Sequence, residues 1–198
     1  MPCFFILEMK KLIFATNNKG KLKEMQLLLP SIEIISLQDI NWTEEIDEPF
    51  DTFHENALIK AVTIFKATQL PVLSDDSGLC IEALNGAPGV HSAYYGGHPR
   101  TDQKNIDKVL DEMKEIDHRA AYFKAVLCLI WDGQVHYFEG QVDGRIANKQ
   151  MGMEGFGYDP IFIPSGYQES FAQLPMDVKN KLSHRAKAVQ QLLAFLNT

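Results

Sequence analysis

The chain has 198 residues, of which 45% are hydrophobic, and it carries a formal net charge of -7. This length suits a single domain with a sizeable core, and the composition is far from that of a disordered chain. The negative charge makes a nucleic-acid backbone a poor main partner, although a small anion can still bind where a local field opposes the net charge.

The N-terminal stretch lacks the features of a signal peptide, because no basic segment precedes its short apolar run. No later run is as long as a membrane span. The three cysteines show no metal-ligand spacing and no disulfide framework, which is typical of a reducing compartment. We therefore expect a cytoplasmic protein with no membrane partner. Residues 1–8 are expected to be a disordered extension before a single domain at 9–198.

Strand and helix patterns alternate along the chain. A hairpin is predicted around Asp132 and Gly133, and a long loop covers 147–176. Strands are predicted at 11–16, 32–36 and 71–75, with an apolar segment at 78–84, and helices follow Asn18 and span 52–70, 102–116 and 177–196. This order predicts an α/β fold with a mixed sheet.

The first candidate site follows the first strand, where residues 14–25 read FATNNKGKLKEM. Asn18 is a good helix N-cap, and the free N–H groups of a helix start form a ready anion site. Lysines at a helix N-terminus are mildly unfavourable unless an anion binds there. Lys19 and Lys21 therefore favour a phosphate site, and the alternative is a solvated first turn with ordinary surface lysines.

Carboxylates form the second candidate site. Asp75 and Asp76 stand where the third strand is predicted to end, and ligands collect at strand ends in α/β sheets. Neighbouring strand residues face opposite ways, so one carboxylate can bind metal or activate water while the other braces the turn. An ordinary Asp-Ser-Gly turn is an equally good interpretation. Mg²⁺ needs only one or two carboxylates, so Asp76 and one glutamate of the acidic loop at 41–51 would suffice.

Two later segments have features of a nucleobase site. In GFGYDP at 155–160, glycines flank Phe156, so the backbone could approach a flat ligand on which the ring stacks. A tight turn with a core phenylalanine is the commoner case. His184 and Arg185 offer donors for carbonyl oxygens, and surface basic residues are the alternative. Taken together, the candidates are the parts of a metal-assisted phosphoanhydride hydrolase.

A family resemblance rests on six motifs in combination: FATNNKGK, TFHENALIKA, SDDSGL, GAPGVHSA, GFGYDPIFIP and SHRAKA. In order and spacing they resemble the inosine triphosphate pyrophosphatase family, over nearly all of the chain from Met9 onward. The resemblance implies an elongated mixed sheet with flanking helices, two lobes around a central cleft, and a homodimer. It also implies Mg²⁺-dependent hydrolysis of non-canonical purine nucleoside triphosphates (ITP, dITP and XTP) to the nucleoside monophosphate and pyrophosphate.

The resemblance further implies a role for each matching residue. Asp76 falls on the proton-acceptor position and approaches the metal, with Glu48 as a second metal ligand and Glu44 as the alternative to it. The implied substrate contacts are Thr16, Asn17, Asn18, Lys19, Gly20, Lys21 and Lys60 at the triphosphate, Ser77 beside Asp76, Phe156, Gly157, Tyr158 and Asp159 at the nucleobase, and Lys179, His184 and Arg185 in base recognition.

Three positions depart from the family pattern. Tyr94 stands in SAY where the family usually reads Ser-Ala-Arg. Any role that the family's arginine has is therefore in doubt for this chain. Met153 and Glu154 replace a Thr-Gly pair, which is expected to reshape the entry to the base pocket. Ser74 precedes the aspartates where alanine is common, and we expect this change to be neutral.

Overall fold

The computed structural model describes residues 11–197, and the predicted extension at 1–8 lies outside this range. The strands are β1 (Lys11–Ala15), β2 (Glu33–Ser36), β3 (Val72–Ile81), β4 (Ala120–Trp131), β5 (Gln134–Ile146) and β6 (Phe162–Pro164). The helices are α1 (Lys19–Leu28), α2 (Phe53–Thr68), α3 (Asp102–Glu112), α4 (Met176–Leu182) and α5 (His184–Leu196).

The six strands form one mixed sheet in the order β2-β1-β3-β4-β5-β6. β1 pairs in parallel with β2 and with β3, whereas the pairs from β3 through β6 are antiparallel. Asp132 and Gly133 form the predicted β4–β5 hairpin, and both have positive φ angles, as a tight two-residue turn requires. The α/β fold with a mixed sheet is therefore confirmed.

Helices cover both faces of the sheet, and the two-residue period of the strands sorts the core between them. On one face Phe14 and Leu73 pack with residues of α1 and α5. On the other face Ile13 and Val72 pack with residues of α2. A third cluster packs α3 near the start of β4 and the end of β5. The same alternation, continued along β3, decides which way each site carboxylate points.

The prediction that the third strand ends at Asp75 and Asp76 is wrong. β3 continues unbroken from Val72 to Ile81, because β4 pairs with it over that whole length, including Asp76 opposite Val126. What does end here is the neighbouring strand: β1 stops at Ala15, which lies opposite Ser74. Between that point and the isolated bridge of Cys80 with Pro88, no strand of the described residues pairs with this edge of β3. This free stretch of the edge borders the candidate site.

The prediction of a single closing helix at 177–196 is also wrong, because this segment forms two helices. Ser183 separates α4 from α5 and caps α5, its side chain accepting a hydrogen bond from the Ala186 backbone N–H. The break places His184 and Arg185 in the first turn of α5. None of the helices within residues 11–197 is both long and apolar enough to cross a membrane.

Candidate active site

A cavity of about 660 Å³ opens beside the free edge of β3. Its wall is built by the β1–α1 turn, the acidic loop, α2, β3, the loop before α3, and the segments at 156–159 and 179–185. Most residues predicted from the sequence lie on this wall: Thr16, Asn17, Asn18, Lys21, Glu48, Lys60, Asp76, Ser77, Phe156, Gly157, Tyr158, Asp159, Lys179, His184 and Arg185. Segments far apart in the chain are therefore brought to one cleft.

Three of the predicted positions do not border this cavity. Lys19 is exposed and borders a smaller neighbouring pocket. Gly20 lies beneath the ring of Phe156, and a Cβ atom there would come within 2.6 Å of the ring. Glycine at this position thus lets the phenylalanine ring pack on the start of α1. Of the two glutamates considered for metal, Glu48 lies on the wall and Glu44 does not.

The two aspartates of β3 project to opposite faces of the sheet. Asp75 shares its face with Leu73 and points toward α1 and α5, where its carboxylate is 2.7 Å from Lys21 Nζ and 2.7 Å from Arg185 Nε. Asp76 points the other way, toward α2 and Lys60. The lysines of both faces reach the free edge, since Lys60 Nζ and Lys21 Nζ lie 2.9 and 3.4 Å from the backbone oxygen of Asp75.

The carboxylate of Asp75 is fully engaged by its neighbours. Besides the two cations, it accepts a hydrogen bond of 2.8 Å from the Ser77 hydroxyl. Burial acts to raise the pKa of Asp75, but the charges of Arg185 and Lys21 outweigh it and hold that pKa well below its ordinary value. Asp75 is thus a permanently ionised anchor for the two cations.

A buried ion network continues from Arg185 to the segment that carries Phe156 and Asp159. Glu24, on α1, contacts the Arg185 guanidinium and lies 2.7 Å from Lys179 Nζ. Lys179 in turn lies 2.5 Å from the Asp159 carboxylate, which accepts a 2.9 Å hydrogen bond from the Phe156 N–H. Alternating charges therefore fix the loop that carries Phe156 against α1, α4 and α5.

The surroundings of Asp76 are different. Its Oδ1 is 3.5 Å from Lys60 Nζ, while its Oδ2 is buried and has no hydrogen-bond partner among the described residues. Burial raises the pKa of Asp76, and the charges of Lys60 and Lys21 offset this only in part. Lys60 also contacts the carboxylate of Glu48. An unpartnered buried carboxylate oxygen in a cavity is a natural ligand for a cation or a water molecule.

This donor set fits Mg²⁺. No group of three or more His, Cys, Asp or Glu side chains gathers for a metal within residues 11–197. Mg²⁺ does not need such a cage, because it commonly takes one or two carboxylates and completes its shell with water and phosphate oxygens. Asp76 and Glu48, which both contact Lys60, are the two carboxylates on the cavity wall that could take this part.

The end of the cavity at Phe156 combines an aromatic ring with a neutral imidazole. Lys179 Nζ and Arg185 Cζ lie 5.0 and 5.9 Å from the Phe156 ring centroid. His184 stacks on Phe123 with centroids 4.8 Å apart, and its buried Nδ1 has no hydrogen-bond partner among the described residues. Burial and the charge of Arg185 lower the pKa of His184 well below its ordinary value, so the ring is neutral. A neutral imidazole can donate or accept a hydrogen bond.

Sequence reasoning missed several residues of the site. Glu24 holds both Lys179 and Arg185, and its only local signal was its position one helical turn after Lys21. Asp102 lines the cavity and accepts a 2.7 Å hydrogen bond from the Gly157 N–H, a contact with no sequence signal. Arg100 was also missed, and it lines the cavity together with Glu45 of the acidic loop and Tyr94, which the sequence had already singled out.

Comparisons with known proteins find relatives along nearly the whole chain. A family model described as Ham1 family matches residues 12–195. A protein named dITP/XTP pyrophosphatase from Porphyromonas gingivalis is 48% identical over 190 residues, covering 95% of this chain and 98% of that protein. One of the same name from Bacillus subtilis is 46% identical over 193 residues, covering 95% and 98%.

Two solved structures share the fold. A Ham1 protein from Coxiella burnetii superimposes with a TM-score of 0.86 at 40% identity, over 96% of this chain and 99% of that one. The Ham1 protein of Staphylococcus aureus gives a TM-score of 0.85 at 37% identity, over 95% and 98%.

Proposed function

Because this chain belongs to the Ham1 family, we propose that it hydrolyses non-canonical purine nucleoside triphosphates (ITP, dITP and XTP) to the nucleoside monophosphate and pyrophosphate. The observation that carries this proposal is the position of Asp76. Asp76 lines a cavity flanked by lysines from both sides of the sheet and by Glu48, and one of its buried oxygens has no partner among the described residues. The names of the relatives supply the substrate class.

The triphosphate is expected to lie along the free edge of β3. Lys21 and Lys60 meet at this edge and would neutralise phosphate charge. Asn18 caps α1 by accepting a 3.0 Å hydrogen bond from the Lys21 N–H, so the capped helix start carries Lys21 at the cavity wall. Positioning and charge neutralisation supply most of the acceleration in phosphoryl transfer, so these residues carry much of the catalysis.

Asp76 is proposed to orient and deprotonate the attacking water. Its raised pKa makes it a stronger base than an exposed aspartate, and one of its oxygens has no hydrogen-bond partner among the described residues. Asp76 and Glu48 would also hold Mg²⁺, which would supply positive charge to offset the charge of the phosphates. Lys60, whose ammonium contacts both carboxylates, keeps their negative charges together in one small volume.

Base selectivity is proposed to follow from hydrogen bonding at the buried end. Hypoxanthine and xanthine carry a 6-carbonyl where adenine carries an amine, so a donor from His184 or Arg185 is satisfied only by the former. Arg185 already donates twice to Asp75 and once each to Glu24 and Ser77, which leaves one of its five N–H groups. An adenine amine would leave such a buried donor unpaired, and this mismatch is strongly unfavourable.

The assembly and the compartment are further parts of the proposal. We expect a homodimer, as the family resemblance implies, and light scattering after size exclusion should give twice the mass of one chain. A monomer mass would reject that part alone. We expect the protein to act in the cytoplasm, where nucleoside triphosphates are made and its cysteines stay reduced; Cys80 and Cys128 are free and buried.

A substrate panel tests the proposed function. Purified protein with Mg²⁺ is incubated with ITP, dITP, XTP, ATP, GTP and dUTP, and pyrophosphate and phosphate are measured separately. We expect pyrophosphate from the first three, little from the others, and no phosphate from any. Release of phosphate instead of pyrophosphate, or equal rates on ATP and ITP, would reject the proposal.

A further inference from the structure

One cation of the cavity wall stands apart from the networks at Asp75 and Asp76. Arg100, immediately before α3, donates through Nη1 to the Glu45 carboxylate at 2.7 Å. Its guanidinium also lies over the ring of Tyr94, with Cζ 5.3 Å from the ring centroid. All three residues line the cavity, so this ion pair joins the acidic loop to the loop before α3 across the wall.

Arg100 differs from the other cations of the wall in the exposure of its partner. Lys21, Lys179 and Arg185 are each held by buried carboxylates. The side chains of Arg100 and Glu45 are 47% and 69% exposed. An exposed ion pair is weak, because water and salt screen it. Arg100 is therefore the cation whose partner an incoming anion can displace most easily.

The segment that carries Arg100 is held in place. Lys104 Nζ donates to the His98 backbone oxygen at 3.0 Å, and the Thr101 hydroxyl caps α3 by accepting from the Lys104 N–H at 3.2 Å. Tyr94 is itself hydrogen-bonded to the His91 ring at 2.8 Å. The guanidinium thus rests on a fixed aromatic surface, at the position where the family pattern has an arginine instead of a tyrosine.

The acidic loop gives the direction in which Arg100 acts. It runs from Glu45, at Arg100, to Glu48, which contacts Lys60 beside Asp76. A triphosphate whose α-phosphorus lies at Asp76, beside the free edge of β3, would reach Arg100 if its two outer phosphates follow this loop. An arginine fork matches phosphate oxygens better than it matches a single exposed carboxylate oxygen.

We propose that Arg100 is a substrate-binding residue that exchanges Glu45 for the phosphates beyond the α-phosphate. Glu45 is then an internal competitor, an anion that occupies the guanidinium until the triphosphate arrives. This inference rests on the proposed function, because it assumes a triphosphate in the cavity.

The test measures binding of inorganic tripolyphosphate and of dIMP by calorimetry, together with the KM and kcat for dITP. The variants are Arg100→Ala, Arg100→Lys and Glu45→Gln. The control is Arg145→Ala, an exposed arginine that contacts Gln168 and does not border the cavity. We expect Arg100→Ala to weaken tripolyphosphate binding about 10- to 100-fold, the loss of a charge-assisted pair. The KM for dITP should rise more than kcat falls, while dIMP binding stays unchanged.

The other variants separate ligand binding from a structural role. Arg100→Lys should restore part of the affinity, and Arg145→Ala should have no effect. Glu45→Gln should tighten tripolyphosphate binding about two- to fivefold, since it removes a weak competing pair. If the ion pair merely braced the two loops, Glu45→Gln would weaken binding as Arg100→Ala does, and the proposal would be overturned.

Two further results would contradict the proposal: equal loss of dIMP and tripolyphosphate affinity in Arg100→Ala, or no tripolyphosphate binding by the wild-type protein. Failure of the proposed function looks different. A wild-type protein that binds tripolyphosphate but releases no pyrophosphate from dITP would defeat the assigned reaction, while the binding series would still decide the role of Arg100.

Discussion

Asp75 and Asp76 are neighbours in one strand, yet the two faces of the sheet give them opposite environments. On the α5 face, Asp75 meets Arg185, Lys21 and the Ser77 hydroxyl, and its pKa is well below the ordinary value. On the α2 face, Asp76 keeps one buried oxygen without a partner among the described residues, and its pKa is raised. The carboxylate of Asp75, whose oxygens are all paired, stabilises the fold. The carboxylate of Asp76 has one oxygen left to bind another group.

Removing the charge of Asp76 should produce the largest functional effect. We expect Asp76→Asn to lower kcat for pyrophosphate release from dITP by about 10²- to 10⁴-fold, because the water loses its base. Asp143→Asn, an exposed aspartate of β5, is the matched control and should keep wild-type activity. Activity within threefold of wild type in Asp76→Asn would refute the assigned role.

The same substitution one residue earlier should act on stability. Asp75→Asn is expected to lower the free energy of unfolding by about 3 kcal/mol, since Lys21 and Arg185 lose a buried counter-charge. Asp76→Asn should be no less stable than wild type, because it removes a buried charge with an unsatisfied oxygen. Urea denaturation of both variants measures their free energies of unfolding. Equal losses in the two variants would contradict the difference that we expect between Asp75 and Asp76.

Lowering the pH should weaken the buried ion network on the α5 face of the sheet over a defined pH range. Burial acts to raise the pKa of Glu24, but the charges of Arg185 and Lys179 outweigh it, so the pKa lies below its ordinary value of 4.5. A lowered pKa contributes stability that is present above the unfolded value and is lost as the pH falls through the folded one.

The measurement is the difference in unfolding free energy between wild type and Glu24→Gln across pH. We expect this difference to be constant above about pH 5.5 and to shrink below the ordinary value of 4.5. A difference that stays constant or grows down to pH 3.5 would show that the charge of Glu24 does not stabilise the network.

Metal binding should produce the smallest effect on stability, and this effect should depend on Asp76 and not on Asp75. With Mg²⁺ at about ten times its dissociation constant, we expect wild type to gain about 1.4 kcal/mol of stability, seen as a rise in Tm. Asp76→Asn should lose most of this gain, and Asp75→Asn should retain it. An equal gain in both variants would place the ion elsewhere.

The sequence predicted local features well and distant partners poorly. Asn18 caps α1 as expected, and the Asp132-Gly133 hairpin joins β4 to β5, because both signals lie within a few residues of the structure they specify. Asp75 and Asp76 read as a turn, but pairing with β4 keeps them extended. Local propensity is overridden there by contacts with a strand some fifty positions away.

No local sequence pattern could predict the ion pairs between residues that are distant in the chain. Glu24 and Arg185 come from opposite ends of the chain, and Arg100 and Glu45 from separate loops. The Ser183 break had a signal that a continuous helical pattern concealed, since serine is a strong N-cap. The site could be predicted as a set of motifs, whereas the pairing of its charges required the fold.

Oxygen-18 water gives the most direct test of the central claim, that Asp76 delivers water to the α-phosphorus. Hydrolysis of dITP by wild type in labelled water should place one labelled oxygen in dIMP and none in pyrophosphate, and Asp76→Asn should slow formation of labelled dIMP by the factor predicted for kcat. Label in pyrophosphate, or labelled dIMP formed at the wild-type rate by Asp76→Asn, would contradict the account.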